Sequence, residues 1–175
     1  MAEVVKHGII SDPELFAMCN RGMDWVRDNL EEIVKRAMAV KIKIIEEDPY
    51  EKGIRAKLNL GHTVGHAVEL VSKFGLRHGE AIAIGMAVEA KYAAQVRLAG
   101  VGPALSGVEG LLEAIEESLS ALGLPIRIPD ELPREEIIQA MRADKKRNSK
   151  AIRFALPVEI GKVELVDVTD LEEVL

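Results

Sequence analysis

The hydrophobic period of this chain stays helical along most of its length and changes only in its tail. From Asp28 to about Glu47 the apolar residues Leu30, Ile33, Val34, Ala37, Val40, Ile44 and Ile45 fall at the spacing of one helix face. Asp28 or Asn29 can cap that helix, and Pro49 stops it. Ser11-Asp12-Pro13-Glu14 supplies another helix start, a polar cap followed by proline in the first turn. A further apolar segment runs from Leu58 through Leu60, Val64, Ala67, Val68 and Val71 to Phe74. The next, from Glu80 to Leu98, is almost wholly apolar at first and polar later, as a buried central helix is. Residues 106–122 and 133–143 read as two surface helices bounded by Gly123, Pro125 and Pro129. Only 151–156 and 162–168 alternate between apolar and polar, with Gly161 between them, and predict a β-hairpin. The expected fold is mainly α, a helical bundle with a small C-terminal β-hairpin. No βαβ alternation occurs, and Gly100-Val101-Gly102 lacks the third glycine of a dinucleotide fingerprint.

Composition narrows the functional classes. With 175 residues, a single domain spanning 1–175 has room for a real core. A net charge of −6 argues against a general nucleic-acid or anionic-membrane surface. Cys19 is the single cysteine, so an intramolecular disulfide framework is excluded and a reducing cytoplasm is compatible. No apolar run reaches the roughly 20 residues of a membrane span. Met18, Met23, Met38 and Met86 read as core.

Three of the four histidines, His62, His66 and His78, lie close together in the sequence. On a helix, His62 and His66 are one turn apart and project from one face. They are either half-buried and bonded to backbone, or they share a ligand. Thr63 stands where the H-E-x-x-H proteases carry their glutamate, which disfavours zincin-type hydrolysis. Gly61 and Gly65 each precede a histidine and let something approach closely, either a ligand or a neighbouring backbone. His78 at the entrance of the following helix can fold back beside His62. Two imidazoles and one carboxylate form a standard zinc set with an open position. Spacing does not choose the carboxylate. Lys6, Lys41, Arg55, Lys145 and Lys146 are candidate anion-binding cations. Lys41 continues the stripe of Ala37 and Ile44 and is expected to point inward, and Asn59 is poor helix-interior material unless it hydrogen-bonds something.

The residues Glu3-Val4-Val5-Lys6, Lys41, Asp48-x-x-Glu51-Lys52-Gly53-x-Arg55-Ala56-x-Leu58-Asn59-x-Gly61-His62-Thr63-x-Gly65-His66, His78-Gly79-Glu80-Ala81 and Asp144-Lys145-Lys146 resemble the carboxyl-terminal domain of 3-dehydroquinate synthases over essentially the whole chain. The resemblance implies a lyase of the shikimate route to aromatic amino acids. It would convert 3-deoxy-D-arabino-heptulosonate 7-phosphate to 3-dehydroquinate and phosphate by transient oxidation, phosphate elimination and aldol closure. It implies NAD as a recycled cofactor and a divalent metal, usually zinc, held by Glu3, His62 and His78. His66 and Glu51 take proton-transfer roles. Lys6, Lys41, Arg55, Asn59 and Lys146 contact substrate, with Lys145 as an alternative register for Lys146. Pro49 departs from the family, which often carries an acidic residue there. The larger departure is that no NAD-binding domain is found in this chain, so Met1-Ala2-Glu3 reads as a domain junction and the isolated chain is expected to bind metal without turnover. The resemblance also implies a cytoplasmic homodimer. The alternatives are another sugar-phosphate cyclase, a metal-dependent alcohol or glycerol dehydrogenase, and a helical interaction module without catalysis.

Overall fold

The computed structural model describes residues 1–98, 110–144 and 151–175. Within them, eight α-helices and one 3-10 helix precede a two-stranded antiparallel sheet, the mainly helical fold expected.

The first helix, α1 (Ala2–Ser11), is not announced by the sequence, because Val4, Val5, Ile9 and Ile10 are β-branched and Gly8 interrupts them. Burial overrides propensity: Ala2, Val5, Ile9 and Ile10 all enter the core. A side chain at Gly8 would come within 2.8 Å of the Phe16 backbone nitrogen, so this glycine lets the next helix pack against α1. That helix, α2 (Pro13–Cys19), begins as expected, with Asp12 accepting the Leu15 amide at 3.0 Å. Arg36 reaches across to both Asp12 oxygens, at 2.9 and 2.7 Å.

After α3 (Met23–Asp28) comes α4 (Leu30–Glu47), the long amphipathic helix. Asn29 precedes it but does not cap it with its side chain, which instead donates to the Trp25 carbonyl at 2.8 Å. The apolar surface of α4 is wider than the core it meets. Ile33, Ala37, Val40 and Ile44 are buried, while Leu30, Val34, Met38 and Ile42 remain exposed. Met38 is therefore a surface residue, whereas Met86 is buried and Met18 and Met23 pack at the core's edge.

A 3-10 helix (Ile54–Asn59) leads into α5 (His62–Val71). Gly61 is the N-cap of α5 with φ +76°, so it lies at the helix start rather than inside it. The helix ends before Phe74: Lys73 and Phe74 turn with φ of 54° and 59°, and Phe74 is left 71% exposed. Helix α6 (His78–Leu98) starts two residues before Glu80. The elements α7 (Leu111–Ala121) and α8 (Arg134–Asp144) follow. The expected helical residues 106–109 and the Gly100-Val101-Gly102 stretch lie outside the described residues.

Strands β1 (Ile152–Glu159) and β2 (Lys162–Val168) form the hairpin, with Phe154 opposite Val166 and Leu156 opposite Glu164. The Gly161 amide donates to the Ile9 carbonyl at 2.9 Å and ties the hairpin's turn to α1.

Helix α6 organises the interior because it is buried on more than one side. Ala83, Met86, Ala87 and Ala90 pack with α1, α2, α4 and α7. Ile84, Tyr92 and Ala93 pack with α5, α8 and the hairpin. Helices α5 and α6 meet almost backbone to backbone. A Cβ at Gly65 would lie 2.9 Å from the Ala81 carbonyl oxygen, and one at Gly85 would lie 2.8 Å from the Gly65 amide nitrogen. What approaches the glycines beside the histidines is thus a neighbouring helix, and this contact sets the spacing of the helices carrying His62 and His78.

Candidate metal centre

Three helix N-terminal turns converge on one point. Glu3 lies in the first turn of α1, His62 is the first residue of α5 and His78 the first of α6. One potential ligand atom from each lies within 4.8 Å of the other two. Glu3 Oε1 is 3.2 Å from His62 Nε2 and 3.7 Å from His78 Nε2. A tetrahedral zinc centre with bonds of about 2.0–2.1 Å spaces its ligand atoms by about 3.3 Å, so the set matches a cation's requirements. The second ring nitrogens point the same way. His62 Nδ1 is 3.0 Å from the Leu60 carbonyl oxygen, which can only accept, so Nδ1 carries the proton. His78 Nδ1 is 3.2 Å from Glu69 Oε2 and donates likewise to a carboxylate. Both Nε2 lone pairs then face Glu3 Oε1, which is buried and has no hydrogen-bond partner among the described residues. Three acceptors aimed at one another repel unless a cation lies between them, and this donor set fits a divalent metal.

The electrostatics of α1 support a charged carboxylate. Burial raises the Glu3 carboxyl, and the ammonium of Lys6, through its charge and its hydrogen bond, lowers it and favours the carboxylate. Lys6 Nζ is 2.6 Å from Glu3 Oε2, and Lys6 is only 3% exposed. Burial lowers the Lys6 pKa, and Glu3 opposes that shift.

Beside the triad opens a cleft of about 270 Å³ lined by Glu3, Lys6, His7, Lys41, Glu51, Arg55, Leu58, Asn59 and His62. Lys41 was expected to point into the core with Ala37 and Ile44; it is instead an exposed residue whose side chain lines this cleft. The polypeptide from Asp48 to Arg55 is wound around one carboxylate. Asp48 accepts the amides of Lys52 at 2.8 Å, Gly53 at 2.7 Å and Arg55 at 3.2 Å. Those amide bonds, led by that of Lys52, lower the Asp48 pKa against the opposing effect of burial. Pro49 contributes its carbonyl to Arg55 Nη1 at 3.1 Å, and Glu51 sits at the turn with φ 54°. His66 lies outside this lining, on the exposed side of α5, with its ring centroid 5.1 Å from that of His62 and 5.9 Å from that of His78. Lys145 and Lys146 lie outside the described residues.

The sequence reading missed three residues. His7 lines the cleft next to Lys6. Burial, followed by the charge of Lys6, pushes its pKa down to about 4 and leaves a neutral imidazole. Glu69 holds His78. Glu89 is fully buried on α6 and accepts the Gly61 amide at 2.6 Å and the Val64 amide at 3.3 Å. A glutamate inside the apolar run of α6 was the one available signal for the last of these.

Known proteins resemble this chain along its length. Residues 1–147 match the family model described as 3-dehydroquinate synthase C-terminal. A 3-dehydroquinate synthase from Pyrococcus furiosus is 40% identical over 172 residues, covering 97% of this chain and 47% of the relative. One from Geobacter metallireducens is 39% identical over 180 residues, covering 100% and 48%. A solved 2-deoxy-scyllo-inosose synthase, complexed with carbaglucose-6-phosphate, NAD+ and Co2+, superposes with a TM-score of 0.76 at 26% identity, covering 96% of this chain and 47% of that one. The chain spans about half the length of the curated relatives it matches.

Proposed function

The chain belongs to the 3-dehydroquinate synthase family, matching its carboxyl-terminal domain, and from that premise we propose that it is the metal- and substrate-binding part of a 3-dehydroquinate synthase. The reaction would be the conversion of 3-deoxy-D-arabino-heptulosonate 7-phosphate to 3-dehydroquinate and phosphate, a lyase activity. One observation carries the reading: the triad and a set of cations share one cleft, with Glu3 and His62 belonging to both.

Glu3, His62 and His78 would hold a divalent cation, zinc by family resemblance, which when bound supplies Lewis acidity toward substrate hydroxyl oxygens. NAD, when bound in the whole enzyme, would supply the redox chemistry. The remaining work falls to this chain's side chains. Lys41 and Arg55, with Lys6 deeper in the cleft, neutralise the substrate's carboxylate and phosphate, and the planar Arg55 fork can bind either group bidentately. Asn59 offers both a donor and an acceptor to hydroxyls. His66 exchanges a proton with a substrate hydroxyl, and Glu51 takes the second proton-transfer role. Lys146 keeps the substrate contact implied by resemblance. A cation-lined cleft disfavours a simple alcohol dehydrogenase, whose uncharged substrate has no need of Lys41 and Arg55.

The reading also places the whole enzyme in the cytoplasm as a homodimer; no helix among the described residues is long and apolar enough to cross a membrane. This chain by itself, which spans about half the length of its relatives, would bind the metal without turnover. The test is a product assay on the whole enzyme with the sugar-acid phosphate, NAD and zinc. Release of phosphate matched by formation of 3-dehydroquinate supports the reading. Turnover of heptulose 7-phosphates lacking the carboxylate, and none of this substrate, would assign the protein to another cyclase class.

A further inference from the structure

We propose that Glu89 and Glu69 are reciprocal positioning carboxylates, each mounted on one of the two histidine-bearing helices and each setting the ring on the other. Glu69 lies on α5 and takes the Nδ1 proton of His78, the first residue of α6, at 3.2 Å. Glu89 lies on α6 and acts on His62, the first residue of α5, through a single peptide group. The N–H of that group, on Gly61, donates to Glu89 Oε2 at 2.6 Å. Its C=O, on Leu60, accepts the Nδ1 proton of His62 at 3.0 Å. The peptide plane is therefore pinned at both ends, with a carboxylate behind it and an imidazole in front.

Two consequences follow from this alignment. The first is geometric: Glu89 also accepts the Val64 amide at 3.3 Å, so it grips α5 on both sides of His62 and fixes the direction in which Nε2 leaves the helix. The second is electronic. A negative charge bonded to an amide N–H polarises the peptide and strengthens its carbonyl as an acceptor. A stronger acceptor at Nδ1 favours the Nδ1–H tautomer and raises the basicity of Nε2. His62 thus receives through one peptide what His78 receives directly from Glu69. Capping of α5 alone does not call for this arrangement, because caps are ordinarily supplied by a Ser, Thr, Asn or Asp at the N-cap itself. Here that position is Gly61, and the cap comes as a fully buried carboxylate from the facing helix.

The proposal rests on the triad being a metal site, and the test separates the two. Zinc affinity of this chain is measured by competition with a chromophoric chelator, with His62→Ala as the control. The Co(II) absorption spectrum and the 15N tautomer signals of His62 and His78 in the metal-free chain are recorded alongside. Glu89→Gln and Glu69→Gln are each expected to weaken zinc binding roughly 10–100-fold, to change the Co(II) bands, and to mix the tautomers of His62 and His78 respectively. If Glu89→Gln does not fold, Glu69→Gln on the half-buried side still decides the direct arm. Zinc affinity within twofold of the parent in both variants, with unchanged tautomers, would reduce the pair to packing groups and overturn the proposal even if melting temperatures fall. A parent chain that binds no zinc, or binds it equally well as His62→Ala, would instead remove the metal reading itself.

Discussion

Replacing Gly85 by alanine tests whether the contact between α5 and α6 sets the metal geometry. The added Cβ would lie 2.8 Å from both the Gly61 carbonyl carbon and the Gly65 amide nitrogen, and closer still to the Gly61 carbonyl oxygen. Ordinary contact begins at 3.4 Å, so the helices must separate by more than about 0.6 Å, the difference between those two figures. All three neighbours are backbone atoms, and no side chain can rotate away. Overpacking of this kind costs about 1–3 kcal/mol. The same displacement reaches the triad, because His62 directly follows Gly61 on one helix and His78 begins the other. Metal sites tolerate ligand shifts of about 0.2 Å, so Gly85→Ala should lose zinc affinity by at least roughly tenfold, beyond the loss of stability. Urea unfolding of the metal-free protein gives the first quantity and chelator competition the second. Gly79→Ala is the internal control. It lies on the same helix beside His78, but its Cβ would meet only Ala2 Cβ at 3.9 Å. That variant should be neutral or gain about 0.4–1 kcal/mol. If Gly85→Ala matches Gly79→Ala in both assays, the helix contact does not govern the site.

Asp12→Ala removes both the cap of α2 and the clamp from Arg36, and should lower the unfolding free energy by about 1–3 kcal/mol in urea titration. Asp48 has its pKa lowered by three amide bonds, so the order it gives to residues 48–55 is present above the ordinary carboxylate pKa near 3.8 and lost as pH falls below it. Hydrogen exchange at the Lys52, Gly53 and Arg55 amides should speed up in that acid range, and Asp48→Asn should show the same fast exchange at neutral pH. Burial raises the Cys19 thiol to about 11 from an ordinary 9.0. Its contribution to stability is present below pH 9 and declines between 9 and 11, and thiol reagents should label it in the native protein far more slowly than in urea. In the whole enzyme, His66→Ala should reduce kcat by roughly 10²–10⁴-fold with little change in zinc affinity, whereas Lys41→Ala should act mainly on KM.

The sequence was most informative where pattern and chemistry coincide within one stretch. The 3.6-residue period of α4, the alternation of the hairpin and the one-turn spacing of His62 and His66 are local properties, and all three are present in the structure. Glu3 and Lys6 were legible only through family resemblance, because α1 is written in β-branched residues and becomes helical through burial against α2 and α6. Lys41 and Met38 were misread for one reason: α4 carries more apolar surface than its core contact needs, so its stripe does not tell which side faces inward. Glu69 and Glu89 were missed because each acts across the α5–α6 contact. Glu69 looks, in sequence, like any solvated charge, and Glu89, though marked by the apolar run around it, carries no sign of which residue it holds.

The metal centre is tested most directly by the zinc stoichiometry of this chain and of its Glu3→Gln, His62→Ala and His78→Ala variants, by metal analysis after dialysis together with isothermal titration. One zinc per parent chain and loss of tight binding in each variant, with helical content retained, are expected. Parent-like zinc binding in any one of the three would contradict the assignment of that residue, and in all three would contradict the metal centre.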